Sequence, residues 1–302
     1  MAKIAIIGCG NVGMAAAYPI VMFNELVNEV VLIDIREEKV QSECLDLTHA
    51  AERLNRKVAI KVNDYAECAN AEIVIISACV WGKLSPPNTR RDLGRKNYGV
   101  IKGIVESVVE SGFSGIFLVA TNPLDVIVQI VKKISGFPKE RVIGTGTSVE
   151  TARLRSALKE RNIPVNIETC FVIGEHGDSM VVPWSMDKEL SKVDSKTKEE
   201  IRIETYTLGY KVLVGKGYTN YAIGICLSDI VEAILSDRKA IDTICFYDEK
   251  EKLCYSRRAK VGKQGIVKEV PTPMDNEDKA NLDASIKAIR ECLEDVEKFN
   301  EI

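Results

Sequence analysis

Two stretches of this 302-residue chain carry residue types and spacings suited to chemistry. The first is Gly174-Glu175-His176-Gly177-Asp178-Ser179. With an unperturbed pKa of about 6.5, an imidazole is the side chain best suited to take and return a proton near neutrality. One glycine on each side of Glu175-His176 leaves room for the backbone to bring the ring up to a ligand. A single histidine is more often a satisfied surface or core residue than an acid–base group, so His176 needs support from other positions. Only one other histidine, His49, is present, which excludes a zinc site built on several imidazoles. The second stretch is Gly8-Cys9-Gly10-Asn11-Val12-Gly13. In a G-x-G-x-x-G turn the first glycine permits the tight bend, the second lets the backbone approach a pyrophosphate, and the third lets the next helix pack close to the sheet. The helix that follows presents free N–H groups and partial positive charge to the phosphates. Asp34 lies at the distance expected of a carboxylate that hydrogen-bonds both hydroxyls of an adenosine ribose. An acid there repels a 2′-phosphate, so NAD is favoured over NADP.

These groups need a scaffold, and the first half of the chain supplies its pattern. Short Ile/Val-rich runs at Ile4–Ile7, Val30–Ile33, Ile73–Ile76 and Ile116–Val119 suit strands covered on both faces. Segments with helical spacing lie between them, such as Glu37 to Leu47 and Leu93 to Val109. This alternation predicts right-handed crossovers and a doubly wound α/β domain over residues 1–146. Beyond Gly146 the pattern changes to that of a second domain, 147–302. Val149 to Leu158 and Ser195 to Leu213 read as helices, and Glu168 to Ile173 reads as a strand leading into the histidine loop. Phe246–Tyr247 and Leu253–Tyr255 flank Asp248-Glu249-Lys250 as a hairpin. Leu282, Ile286, Ile289, Leu293 and Val296 mark a docked amphipathic C-terminal helix.

Composition sets outer bounds. Apolar residues are 46% and charged residues 28%, the balance of a soluble globular protein. Forty-one Lys plus Arg against 44 Asp plus Glu give a net charge of −3, which argues against a nucleic-acid binder. The longest apolar stretch, Met14 to Phe23, contains Pro19 and is half of what a membrane span needs. The chain enters its first strand directly after Met-Ala-Lys, so no signal peptide is expected. Nine cysteines with no Cys-x-x-Cys pair read as buried thiols in a reducing, cytoplasmic setting.

Further motifs occur in order along nearly the whole chain. They are Leu45-Asp46-Leu47 with His49, Thr121-Asn122-Pro123-Leu124-Asp125, Gly136-Phe137-Pro138, Arg141-Val142-Ile143-Gly144, Thr151-Ala152-Arg153 and Lys216-Gly217-Tyr218-Thr219. With the Gly8–Gly13 loop, Asp34 and the His176 loop, they resemble the NAD-dependent L-2-hydroxyacid dehydrogenases, the family of lactate and malate dehydrogenases. The resemblance implies an N-terminal Rossmann domain with a C-terminal α+β substrate domain. It also implies NAD as cofactor, a small 2-oxo or 2-hydroxy acid as substrate, no metal, and a homo-oligomer, tetramer or dimer. His176 would take the hydroxyl proton as hydride leaves for the nicotinamide. Arg153 would clamp the substrate carboxylate, and Arg90, seven residues before Asn97, would polarise the carbonyl when a mobile loop closes. Asn122 would hydrogen-bond the substrate oxygen beside the cofactor, with Thr219 and Ile223 lining the pocket near the nicotinamide. His49 would sit at a subunit contact.

Departures from the family pattern matter as much. Glu150 stands where the family usually has the aspartate that orients the imidazole, one methylene shorter. The active-site loop is longer than in the usual lactate enzymes, and Leu84 or Gly82, depending on the direction of counting, holds the position that reads the substrate's side chain. Neither is the arginine of malate enzymes, although Lys83 stands beside both. In character the loop resembles L-2-hydroxyisocaproate dehydrogenases, which take longer or branched 2-oxo acids, so the substrate is expected to be lactate/pyruvate or such an analogue. Malate dehydrogenase is the alternative; a non-catalytic dinucleotide-binding protein is more remote. Arg155 matches one half of the fructose 1,6-bisphosphate site of activated bacterial enzymes, but Thr169 replaces the histidine of the other half, so little activation is expected.

Overall fold

The computed structural model describes residues 1–80 and 90–301. Nine strands among them join into one sheet in the order β3-β2-β1-β4-β5-β6-β7-β8-β9. The strands β1 (Ala2–Ile7), β2 (Val27–Ile33), β3 (Ala59–Val62), β4 (Ile73–Ile76), β5 (Ile116–Val119) and β6 (Val142–Gly144) run parallel. The helices α1 (Asn11–Phe23), α2 (Glu37–Arg53), α3 (Arg90–Glu110) and α4 (Leu124–Ser135) connect them, and α5 (Ser148–Glu160) follows β6. This is the doubly wound arrangement read from the alternating apolar runs. The chain then adds α6 (Ser195–Lys216), α7 (Tyr221–Leu235), the antiparallel strands β7 (Ala240–Asp248), β8 (Leu253–Gly262) and β9 (Gly265–Glu269), and α8 (Asn276–Phe299). Strand β7 joins the parallel sheet by antiparallel pairing of Cys245 with Gly144.

The centre of the sheet is covered on both faces, which is why β4 and β5 are continuously apolar and β1 and β2 nearly so. One layer packs Val74, Ile76, Phe117 and Val119 against Ile101, Val105 and Ile127, with Ile289 and Val296 of α8 in the same cluster. The other packs Ile4, Ile6, Leu32 and Ile75 against Ala16, Ile20 and Leu227. Each fully buried Ile or Leu contributes roughly 1.5–3 kcal/mol, so the sheet is rigid enough to hold loops in place at its carboxyl edge. Gly8, Asp34, Ser77 and Thr121-Asn122 follow the ends of β1, β2, β4 and β5 there. The strand order reverses between β1 and β4, and an open α/β sheet binds ligands in the crevice at such a point. A smaller core of Leu154, Leu158, Cys170, Val172, Met180 and Ile201 fastens α5 to α6.

One expected strand is absent. Asn166–Cys170 folds into a turn, in which the Cys170 N–H donates to the Asn166 carbonyl at 2.8 Å and the Glu168 N–H donates to Asn166 Oδ1. The Val172 N–H donates to the Thr151 hydroxyl instead of to a strand neighbour. Only Ile173 and Gly174 make bridges, to Val181 and Ser256. The short strands β3, β6 and β9 carry no distinct pattern of their own and form because their neighbours offer open edges. No helix among the described residues is long and apolar enough to cross a membrane.

Candidate active site

At the first strand end, Gly8 has φ +96°, and a Cβ there would lie 2.3 Å from the Ala78 nitrogen. Gly13 sits against the Gly8 carbonyl, where a Cβ would come within 2.2 Å. Gly10 differs: a Cβ there would meet only the tip of Arg36, 4.0 Å away. Two glycines therefore serve the protein's own packing, while the third faces the crevice. The first turn of α1, Asn11-Val12-Gly13, has no side-chain cap and no acidic residue, so its N–H groups are open to an anion. Asp34 Oδ2 accepts from the Cys9 N–H at 2.8 Å, which fixes the carboxylate beside the loop. Burial alone would raise the Asp34 carboxyl, but the Arg36 guanidinium and N–H together with the Cys9 N–H outweigh it and hold it below the usual value. An uncapped helix start, a vacant notch at Gly10 and an ionised acid at the second strand end suit a dinucleotide with a free ribose 2′-hydroxyl.

The histidine loop is held from both sides. The His176 N–H donates to Asp125 Oδ2 at 2.8 Å, and the Glu175 N–H donates to Ser285 on α8. The Gly174 N–H donates to the Ser256 carbonyl on β8. The imidazole is oriented by Glu150, whose Oε2 lies 2.9 Å from His176 Nδ1. Its other oxygen, Oε1, accepts from Arg153 Nη1 at 2.8 Å. One buried carboxylate thus joins the imidazole to the guanidinium. Burial would raise the Glu150 carboxyl, but the charge and hydrogen bond of His176 and the charge of Arg153 outweigh it and hold it at about 2. Asp125 shows the opposite balance. Burial pushes it up to about 6, only partly offset by the His176 N–H and charge.

The flanking glycines have a different purpose from the one their spacing suggests. A Cβ on Gly174 would lie 2.6 Å from Ser285 Oγ, and one on Gly177 would lie 2.6 Å from Glu175 Oε2 and 2.9 Å from Arg90 Cζ. They admit neighbouring protein groups. Arg90, at the start of α3, is thereby brought onto the histidine loop, with its Nε 3.8 Å from Glu175 Oε1. Asn97 is buried, its Oδ1 accepting from the Val80 N–H and its Nδ2 donating to the Asn122 carbonyl. It ties the stem of the active-site loop to the β5 end and leaves the Asn122 side chain exposed at the crevice. Thr219 and Ile223 are half-buried at and just beyond the α6–α7 turn, and Ile223 packs on the core layer that carries α1. Leu84, with Gly82 and Lys83, lies outside the described residues. The supporting roles of Asn97, Ser285 and Ser256 carry no signal in the sequence, since each depends on a contact between distant segments.

Comparison with known proteins identifies both halves of the chain. Residues 2–144 match the lactate/malate dehydrogenase NAD binding domain, and residues 147–300 match the lactate/malate dehydrogenase alpha/beta C-terminal domain. The chain belongs to the lactate/malate dehydrogenase family. It is 39% identical over 256 residues to an L-lactate dehydrogenase of Borrelia turicatae, covering 81% of this chain and 80% of that one. It is 36% identical over 305 residues to one of Clostridium perfringens, covering 95% of both. Among solved structures, a lactate dehydrogenase from a Medee basin deep-sea metagenome library superposes with a TM-score of 0.89 at 32% identity, covering 98% of both chains. The minor L-lactate dehydrogenase of Enterococcus mundtii gives 0.89 at 30% identity, covering 97% of this chain and 98% of that one. This family member is an NAD-dependent oxidoreductase acting on a CH–OH group.

A cavity of about 990 Å³ opens on the other side of α5, lined by Thr151, Arg155, Tyr221, Ile225, Asp242 and Arg258 among others. It includes none of His176, Arg153 or Asn122. At its edge Arg155 donates to the Cys170 and Ile167 carbonyls. The Thr169 hydroxyl donates to Asp187 at 2.5 Å.

Proposed function

We propose that this chain interconverts an L-2-hydroxy acid and its 2-oxo acid, with lactate and pyruvate as the leading pair, using His176 as the proton-transfer group. The observation that carries this reading is the single carboxylate of Glu150 between the His176 imidazole and the Arg153 guanidinium. The contact supports a proton shuttle beside an anion clamp, the pair that a small 2-hydroxy acid requires. When bound, NAD would supply the hydride acceptor; Gly10, Asn11, Val12 and Asp34 would hold it, on a turn whose shape Gly8 and Gly13 allow. In the oxidative direction the Nδ1–H of His176 donates to Glu150, which leaves Nε2 free to accept the hydroxyl proton as the carbon releases its hydride. The imidazolium that forms is stabilised by the Glu150 carboxylate already in contact with it. Arg153 grips the substrate carboxylate with its remaining N–H groups. Arg90 and the Asn122 amide supply positive potential and a donor at the oxygen that becomes the carbonyl. In the reverse direction the same proton returns from His176.

Leu84 is assigned to reading the substrate's side chain, and Thr219 and Ile223 to lining the pocket near the nicotinamide. The two halves of the chain, 1–146 and 147–302, divide the work between cofactor and substrate. Exposed Tyr18, Phe23 and Leu45 on α1 and α2, with Tyr221 and Ile225 on α7, support assembly into a homo-oligomer, and the exposed His49 lies on the same helix as Leu45. The mostly buried thiols support a reducing, cytoplasmic setting. The test is NADH oxidation with pyruvate, 2-oxobutyrate, 2-oxoisocaproate, phenylpyruvate and oxaloacetate, compared by kcat/KM. Turnover of the monocarboxylic acids well above oxaloacetate is expected. If oxaloacetate wins, Lys83 reads the substrate and the malate reading replaces this one.

A further inference from the structure

Helix α6 is continuous from Ser195 to Lys216, yet it carries a glycine at position 209, deep in its length. An interior glycine weakens a helix relative to alanine. Its backbone does not require glycine either, because Gly209 has no positive φ. What the position lacks is room. A Cβ on Gly209 would lie 2.7 Å from Arg153 Nη1, 2.8 Å from Cζ and 3.0 Å from Nη2. The guanidinium of Arg153 therefore rests on the bare backbone of α6, with Nη1 turned to Glu150 Oε1.

We propose that Gly209 is a positioning residue for the carboxylate clamp. It forms a notch that sets how deep the guanidinium sits, so that Nη1 reaches Glu150 while the other N–H groups of the fork stay available to the substrate carboxylate. The inference rests on the role of Arg153 given above. A methyl group at 209 displaces the planar head by several tenths of an ångström or more, because 2.7 Å is well inside carbon–nitrogen contact. The head is the far end of a flexible side chain, so it moves while the helices stay in place. The clamp then shifts and meets the substrate carboxylate less well, in the ground state and the transition state alike.

The test is Gly209→Ala beside Gly215→Ala. Gly215 lies in the same helix, and a Cβ there would meet nothing within 4 Å. Both variants should raise Tm by roughly 1–2 °C through helix propensity. Gly209→Ala alone should raise KM for pyruvate about 10-fold or more and weaken oxamate binding to the NADH complex, read by NADH fluorescence, by a similar factor, with kcat changed far less. The penalty should shrink in an Arg153→Lys background, where the slimmer ammonium head clears the methyl group. Unchanged KM and oxamate affinity in Gly209→Ala would overturn the proposal while leaving the assigned reaction intact. Equal losses in Gly215→Ala would also overturn it, by showing that stiffening the helix is the cause. A wild-type chain that binds NADH but neither binds oxamate nor reduces pyruvate overturns both this proposal and the reading it rests on.

Discussion

Replacing Glu150 by glutamine tests the central arrangement most directly. The side chain is nearly isosteric and keeps one oxygen, so packing in the buried α5 turn is preserved and the charge is removed. In the folded protein the carboxyl sits at about 2 against an ordinary value of 4.5, held down by His176 and Arg153 against the effect of burial. That difference corresponds to about 3 kcal/mol of favourable interaction with the ionised form. Two consequences follow. First, the imidazolium formed during oxidation loses its stabilising partner. The amide can also offer N–H to Nδ1 and select the tautomer with Nε2 already protonated, which cannot accept the substrate's proton. Losing the His176 share of that interaction, together with the tautomer switch, lowers the rate of the chemical step by about tenfold or more. Single-turnover oxidation of lactate in a stopped-flow instrument isolates that step from product release. Second, a folded-state pKa below the unfolded one contributes stability above about pH 4.5, and this is lost as the pH falls towards 2. The variant should therefore be less stable than the wild type at pH 7 by up to about 3 kcal/mol in urea denaturation, with the gap closing below pH 4.5. A single-turnover rate within threefold of wild type would refute the assignment of Glu150 as the partner of His176. A stability gap as wide at pH 3 as at pH 7 would show that shape, not charge, is what glutamine removes.

Asp125 should behave oppositely. Its folded value of about 6 lies above the ordinary 3.8, so its contribution is present below pH 3.8 and lost as the pH rises through 6, a decline of up to about 3 kcal/mol. Asp125→Asn keeps an acceptor for the His176 N–H and should flatten that decline in urea midpoints measured from pH 4 to 7; parallel curves for the two proteins would count against it. Gly10→Ala should weaken NADH binding with little change in Tm, because its Cβ points into the crevice. Gly13→Ala should lower Tm, because its Cβ would strike the Gly8 carbonyl at 2.2 Å; fluorescence titration and thermal melts separate the two, and equal effects would argue against an open notch at Gly10. Fructose 1,6-bisphosphate should leave the half-saturating pyruvate concentration nearly unchanged, since Arg155 is committed to two carbonyls and Thr169 to Asp187. A severalfold fall on adding it would show that these bonds open for the ligand.

What the sequence disclosed and what it hid divide along a physical line. The central strands β1, β2, β4 and β5 were legible because burial on both faces makes each an apolar run rich in Ile and Val, and the phosphate loop because its glycines answer local demands of one turn. Glu168–Ile173 misled because β-branched and apolar residues there face a core without a strand partner; Thr151, from another helix, takes the hydrogen bond that a neighbouring strand would have taken. The active site shows the same division more sharply. Glu150 was recognisable as a longer substitute for aspartate, since residue type and its spacing from Arg153 are local facts. That it holds both His176 and Arg153 is not local, because it depends on where the loop after Gly174 is pinned by Asp125, Ser256 and Ser285, which come from three other elements. Gly209 is the extreme case. Nothing near it in the chain needs a glycine, and its reason lies wholly in a guanidinium more than fifty residues away. An interior helical glycine with ordinary φ is therefore a prompt to look across the packed interface for the group that would be displaced, and here that group is the clamp.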